Sequence, residues 1–357
     1  MLNNQGRPTN VDNVNSNVGA SSGAALLPSE PLLFEVGDKN KSGVDLPKTD
    51  TDFSSRLGGF ARQTPINLPG LTEPQSMRHY VRMSRLNYSI DAGFYPLGSC
   101  TMKHNPRLNE KMARLPGIAD IHPLQPQSTV QGAIELMEEL GRWLMELTGT
   151  GAVAMAPKAG AHGEMCGMMA IKAAHEAKGQ GHRKLVLVPE SAHGTNPATA
   201  AFLGYKVKEI KARKDGTVDV QAVKDALDEN VAGIMLTNPN TCGLFEPDVI
   251  EIADAVHEAG AYFYCDGANF NAIMGVVRPG DLGIDAMHIN LHKTFSTPHG
   301  GGGPGSAPVG VSERLLPFMP LPYVVKDNEK YRWITEEEKP KSIGRLSAHM
   351  GNTGVLL

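Results

Sequence analysis

The chain has 357 residues, 41% of them hydrophobic and 20% charged, and a formal net charge of -4. This is an ordinary globular composition, long enough for two domains or for one large α/β domain with an appendage. It carries no basic footprint for nucleic acid, and no apolar run nears the roughly 20 residues that span a bilayer, so neither nucleic acid nor membrane is an expected partner.

Residues 1–60 are rich in Gly, Pro, Asn and Ser and read as a mobile leader followed by an extended arm. The leader has neither an apolar signal core nor an arginine-rich amphipathic pattern. Residues 61–127 read as a loop-rich segment near the active site and a subunit interface, because loops this long are usually functional or wrapped around a partner. The four cysteines, Cys100, Cys166, Cys242 and Cys265, lie far apart without a CxxC pair. Reduced thiols in a cytoplasmic protein are expected.

Regular patterning begins at Ser128 and defines a large domain over 128–320. Ser128-Thr129-Val130-Gln131 matches a capping box, and Val130, Ile134, Met137, Leu140, Leu144 and Leu147 recur at helical spacing up to Gly149. A second helix is predicted from about Gly163 to Lys178. Strands follow at 184–188, 205–210, 232–237, 261–265 and 286–290. They alternate with helices at 196–203, 220–227 and 247–259, which implies a mainly parallel sheet covered on both faces. Residues 321–357 read as the start of a smaller C-terminal domain, and the apolar ending Gly354-Val355-Leu356-Leu357 suggests a longer parent protein.

The chemistry gathers at predicted strand ends, where open α/β sheets bind ligands. Asp266 follows Tyr262-Phe263-Tyr264-Cys265, and Lys293 follows Met287-His288-Ile289-Asn290-Leu291. Singly, a turn Asp and a solvated Lys are the plain readings. Together they are what pyridoxal 5'-phosphate needs: an amine for the Schiff base and a carboxylate that keeps the pyridine nitrogen protonated. Ala159-Gly160-Ala161-His162-Gly163-Glu164 precedes a helix, where backbone amides can approach a phosphate, though a plain Gly-rich turn reads equally well. His193, in Ser191-Ala192-His193-Gly194-Thr195-Asn196, could stack on a cofactor ring or shuttle protons, or simply bond loop backbone. The run from His299 to Gly305 lets the backbone pass near a ligand. His288 and His292 stand four apart, but on a strand that spacing does not make a metal site, so none is expected. No GxGxxG follows a strand with an acidic residue at the right distance, which argues against a nicotinamide cofactor.

The segments 95–103 (YPLGSCTMK), 159–164, 191–197, 237–241, 266–269 and 290–294, in that order, resemble the glycine decarboxylase (P-protein) family of the glycine cleavage system, more narrowly its split two-subunit form. The resemblance covers about residues 30–357, with His104 and Ala156-Pro157-Lys158 as departures from the usual pattern. It implies an aspartate-aminotransferase-like fold (fold type I) with most of the small C-terminal domain missing. It further implies Lys293 as the Schiff-base lysine, Asp266 as the pyridine partner and His193 stacked on the ring. Gly160, Ala161 and His162 would line the phosphate, Asn240 would sit near the ring hydroxyl, and Ser99, Cys100 and Thr101 would meet substrate. The implied reaction is oxidative decarboxylation of glycine with transfer of the aminomethyl group to the lipoyl arm of an H-protein, Lys293 or His193 carrying the proton. The implied partner is glycine dehydrogenase subunit 1 in an α2β2 assembly. Another fold-type-I lyase or desulfurase acting on a small amino acid, and a non-catalytic scaffold subunit, are the alternatives.

Overall fold

The computed structural model describes residues 30–45, 47, 50, 54–93, 95–96, 101–298, 305–347, 350 and 352–357. Contacts divide the chain into two compact units, Met1–Ala92 and Gly93–Leu357. In the first, the helix Glu73–Ser84 starts at Thr72, whose hydroxyl and the Gln75 side chain cap each other's backbone amides reciprocally. Glu30 accepts hydrogen bonds from Arg82 on that helix.

The second unit is built on a seven-stranded sheet: β1 (Ala152–Ala154), β2 (Leu185–Pro189), β3 (Lys206–Ile210), β4 (Val231–Thr237), β5 (Tyr262–Gly267), β6 (Ala286–Ile289) and β7 (Val309–Val311). Their spatial order is β1-β7-β6-β5-β4-β2-β3. Every pairing is parallel except the two made by β7, which runs against β1 and β6. The expected parallel sheet is therefore present, with one antiparallel strand that sequence reading did not anticipate.

Helices α1 (Gln131–Thr148), α2 (Gly160–Ala177), α3 (Thr195–Phe202), α4 (Val220–Ala226) and α5 (Val249–Glu258) cover the sheet. The period of two along β5 sorts its side chains between the layers. Phe263 and Cys265 join the core under α1, α4 and α5, while Tyr262 and Tyr264 join the core under α2 and α3. All seven residues of β4 and all six of β5 are buried, as strands covered on both faces must be.

Two boundaries differ from expectation. The Ser128 capping box does not form: Gln127–Thr129 is a 3-10 turn, and α1 begins after Val130 without a side-chain cap. Helix α2 starts at Gly160 rather than Gly163, because small residues there let the helix begin against the sheet. A Cβ at Gly160 would come within 2.9 Å of the Asn290 amide nitrogen. At its other end α1 stops as read, with Gly149 in the left-handed region at φ 70°.

Beyond β7, strands β8 (Val324–Asp327) and β9 (Lys330–Trp333) form an antiparallel hairpin. Gln131 of α1 exchanges hydrogen bonds with the Tyr331 backbone, and Gln127 accepts from the Trp333 amide, tying the hairpin to the start of α1. No helix among the described residues is long and apolar enough to cross a membrane.

The contact of α2 with β6 is close enough to predict a cost. A Cβ on Gly163 would stand 2.6 Å from the His288 Cβ and 3.1 Å from the Ala307 carbonyl. We expect Gly163→Ala to destabilise by about 1–3 kcal/mol despite the roughly 1 kcal/mol that alanine gains in helix propensity. The check is the midpoint of urea unfolding.

Candidate active site

The carboxyl ends of β2, β4, β5 and β6 meet at one edge of the sheet, and Asp266 is the next-to-last residue of β5. It is only 2% exposed. Its Oδ2 accepts from Asn196 Nδ2 at 3.1 Å, its Oδ1 accepts from the Ala268 amide at 2.9 Å, and His288 Nε2 lies 3.3 Å from Oδ1. Two amide donors thus occupy two of the about four lone-pair positions of a carboxylate, with His288 in contact at 3.3 Å, which leaves acceptor capacity for a ligand. Burial works to raise its pKa, but His288, the Ala268 amide, the Asn196 amide and the Lys293 ammonium together outweigh burial and hold it below the usual range.

His288 sits on β6 directly across from Asp266. Its Nδ1 is 2.6 Å from the Tyr264 hydroxyl and its Nε2 is 3.1 Å from Asn290 Oδ1. An ionised Asp266 can only accept, so Nε2 carries the hydrogen, and Nδ1 accepts from Tyr264. Burial keeps the ring neutral against the pull of Asp266, and burial likewise pushes the Tyr264 phenol well above its ordinary range. The result is a buried chain, Tyr264 to His288 to Asp266, that carries one negative charge.

Glu164 of α2 completes this cluster. Ligand-type atoms of Glu164, Asp266 and His288 all lie within 4.8 Å of one another. Asp266 and His288 already stand in ion-pair contact at 3.3 Å, so the grouping reads as a proton network rather than as a cation site. Glu164 is 3% exposed and accepts from the Thr199 hydroxyl at 3.2 Å. Burial, then the neighbouring Asp266 charge, push its carboxyl up to about 7.

Lys293 lies not directly on a strand end but in the four-residue helix α6 (Leu291–Thr294) that follows β6. Its ammonium helps lower the pKa of Asp266 and of Glu164, so the structure brings Lys293 and Asp266 into one electrostatic neighbourhood. Around them, Asn196 Oδ1, Thr237 Oγ1, Asn238 Nδ2 and Ser306 Oγ are buried without a hydrogen-bond partner. Orphaned polar atoms are uncommon in a closed core, and these four leave hydrogen-bonding capacity that a ligand or water could fill.

The other sequence-predicted residues fall as follows. His193 is exposed in the turn between β2 and α3, its Nδ1 accepting from the Thr195 amide at 3.2 Å. It is close enough to contribute to the neutrality of His288. Gly160, Ala161 and His162 form the first turn of α2, which has no side-chain cap, so their amides are the orphan donors of a long helix. Burial, and then the Lys158 charge, lower the His162 pKa. Asn240 is buried in its own loop. Its amide donates to the Gly216 carbonyl and to Glu246, and its oxygen accepts from the Cys242 and Leu244 amides. That leaves it neither hydrogen nor lone pair for a ring hydroxyl. Ser99 and Cys100 lie outside the described residues, as do residues 299–304 of the glycine run. Thr101 is described only as backbone, in a two-residue ladder with Pro96.

Glu164, Asn196, Tyr264 and His288 were not read from sequence as members of the site. A signal existed for Glu164: it shares a helical face with Gly167, Met168 and Ile171, which is a charge on an apolar stripe.

The family described as "Aminotransferase class-V" matches residues 163–303. The chain is 60% identical over 361 residues to the probable glycine dehydrogenase (decarboxylating) subunit 2 of Caulobacter vibrioides, covering 99% of this chain and 69% of that one. It is 51% identical over 329 residues to the protein of the same description from Thermococcus onnurineus, covering 92% and 66%. The chain thus spans about two thirds of the length of the curated relatives it matches. Among solved structures, an inhibitor-bound glycine decarboxylase (P-protein) of the glycine cleavage system superposes with a TM-score of 0.69 at 21% identity, covering 85% of this chain and 68% of that one. A sphingosine-1-phosphate lyase from Burkholderia pseudomallei gives 0.55 at 14% identity, covering 85% and 71%. These two likenesses show the shared fold, which is that of fold-type-I enzymes.

Proposed function

The chain belongs to the glycine dehydrogenase (decarboxylating) subunit 2 family, and from that premise we propose that it decarboxylates glycine and passes the aminomethyl group to the lipoyl arm of an H-protein. Pyridoxal 5'-phosphate is the cofactor of this family. The observation that carries the reading is the meeting of Lys293 and Asp266 at one sheet edge, among buried polar atoms that have no protein partner.

The residues present fit the cofactor. The Lys293 amine would hold it covalently, and the ionised Asp266, with acceptor capacity left, would keep a ring nitrogen protonated. The amides of Gly160, Ala161 and His162 at the start of an 18-residue helix would take its phosphate, aided by the helix dipole. His193, exposed in the turn before α3, would offer a flat imidazole to the ring. Asn240 is left out of this set, because its amide is committed to its loop. Bound there, the cofactor supplies an electron-poor ring that takes up the electron pair left when glycine loses carbon dioxide.

The chain's own residues do the rest. Tyr264 and His288 hold Asp266 ionised and fixed. Glu164, in its protonated form, adds no second charge beside Asp266. Lys293 or His193 carries the proton. The lipoyl disulfide is the oxidant: one sulfur bonds to the aminomethyl carbon as the S–S bond breaks, and the other takes a proton as a thiol. The partner is glycine dehydrogenase subunit 1 in an α2β2 assembly in the cytoplasm. The thiols of Cys166, Cys242 and Cys265, which are all unpaired, support that compartment.

The test combines the chain, subunit 1, pyridoxal phosphate and carboxyl-labelled glycine, with and without lipoylated H-protein. Release of labelled carbon dioxide that depends on H-protein, with borohydride fixing the cofactor on Lys293, is the expected result. Release that ignores the lipoyl acceptor would point instead to another lyase, and a label on a different residue would remove Lys293 from its role.

A further inference from the structure

Lys103 ends the motif of residues 95–103, Asn105 and Asn109 follow it, and none of the three has a part in the chemistry proposed for the site. In the structure all three side chains reach the loop that carries Lys293. Lys103 Nζ donates to the His292 carbonyl at 2.5 Å and to the Thr297 carbonyl at 2.8 Å. Asn105 Nδ2 donates to the carbonyls of Ser296 at 3.2 Å and Thr297 at 3.0 Å. Asn109 Nδ2 donates to the Ser296 carbonyl at 3.1 Å and to its hydroxyl at 3.2 Å.

These contacts have a directional consequence. The His292 carbonyl belongs to the peptide plane whose nitrogen is that of Lys293, and a trans peptide is rigid. Holding that oxygen fixes one side of the Lys293 backbone, and the Asn290 carbonyl, which accepts from the Lys293 amide at 3.0 Å, fixes the same plane from the other end. The two held carbonyls at 296 and 297 anchor the far side of the loop. A four-residue helix has no stability of its own, so its orientation must come from such tertiary bonds. An ammonium donor makes the strongest kind available to a carbonyl.

We propose that Lys103, with Asn105 and Asn109, is a positioning device that clamps residues 292–297 and sets the direction in which the Lys293 side chain leaves the backbone. The proposal deepens, and rests on, the reading of Lys293 as the residue that holds the cofactor. It gives Lys103 no contact with cofactor or substrate. Its effect passes through the loop backbone.

Two readouts on the full-length chain test it: hydrogen exchange across residues 292–297, and the rate at which added pyridoxal phosphate becomes trappable by borohydride on Lys293. Lys103→Met should raise the exchange by about tenfold or more, the scale expected when a carbonyl loses a charged donor, and slow attachment by a similar factor. Exchange of β4 and β5 should not change, which separates a local clamp from general loosening. Lys103→Arg should recover part of both effects. Asn109→Ala, at an exposed position, should move both readouts the same way by less, and it decides the matter if Lys103→Met does not fold. Unchanged exchange overturns the clamp. Raised exchange with unchanged attachment also overturns the proposal, since the loop would then be stapled without aiming Lys293. Attachment at another residue in the unsubstituted chain would be a different failure, that of the Lys293 reading itself.

Discussion

Lys293→Ala is expected to lower glycine decarboxylation by the assembled enzyme by at least about 10³-fold, because it removes the amine proposed to capture the cofactor covalently. The rest of the site should survive the change. Asp266 keeps its bonds to Asn196, Ala268 and His288, and the first turn of α2 keeps its free amides. Cofactor binding should therefore weaken far less than the rate, and no borohydride-stable label should form. Lys293→Arg should be no better, since a guanidinium stays protonated and is no nucleophile near neutral pH. Initial rates with saturating H-protein, alongside equilibrium binding of pyridoxal phosphate, separate the two effects. Retention of full activity in the alanine variant would move the chemistry to the partner subunit and leave this chain a scaffold.

The reason such a prediction could start from sequence lies in how the sheet is buried. Strands covered on both faces read as unbroken apolar runs, so β4 and β5 were placed to within one or two residues, and the polar residues that interrupt them fell at their carboxyl ends. Asp266 and Lys293 were visible for that reason. The strands β1 and β7 were not, because each has three residues and β7 carries a glycine where the Thr150 side chain approaches to 2.8 Å from the place a Cβ would take. A pattern of period two needs more length than that to be seen. The site's supporting residues were hidden for a different reason. His288 and Tyr264 read as ordinary strand residues, and only the register that sets Asp266 opposite His288 turns them into a relay. The Lys103 clamp joins residues 189 and 194 positions apart, a separation on which local pattern is silent.

Glu164 provides the largest stability effect, and its sign follows from proton linkage. Its carboxyl stands at about 7 in the folded chain against a reference value of 4.5, with burial the main cause and Asp266 the next. Below pH 4.5 the group is protonated whether the chain is folded or not, and it costs nothing. Between 4.5 and 7 the folded state binds more proton than the unfolded one, so stability falls as pH rises. Above 7 the folded chain must hold a buried carboxylate beside Asp266, at a full cost of about 3 kcal/mol. Glu164→Gln keeps the shape and the acceptor for the Thr199 hydroxyl but cannot ionise. The variant should match the parent near pH 4 and exceed it by up to about 3 kcal/mol near pH 9. Titrating groups remote from Glu164, such as His175, are common to both chains and cancel in the difference, and Asp266, held below the usual carboxylate range, stays ionised from pH 5 upward. Urea unfolding of the two chains across that range is the measurement. Curves that stay parallel at every pH would mean that Glu164 is ionised throughout, and that the cluster behind the candidate cofactor site holds two negative charges rather than one.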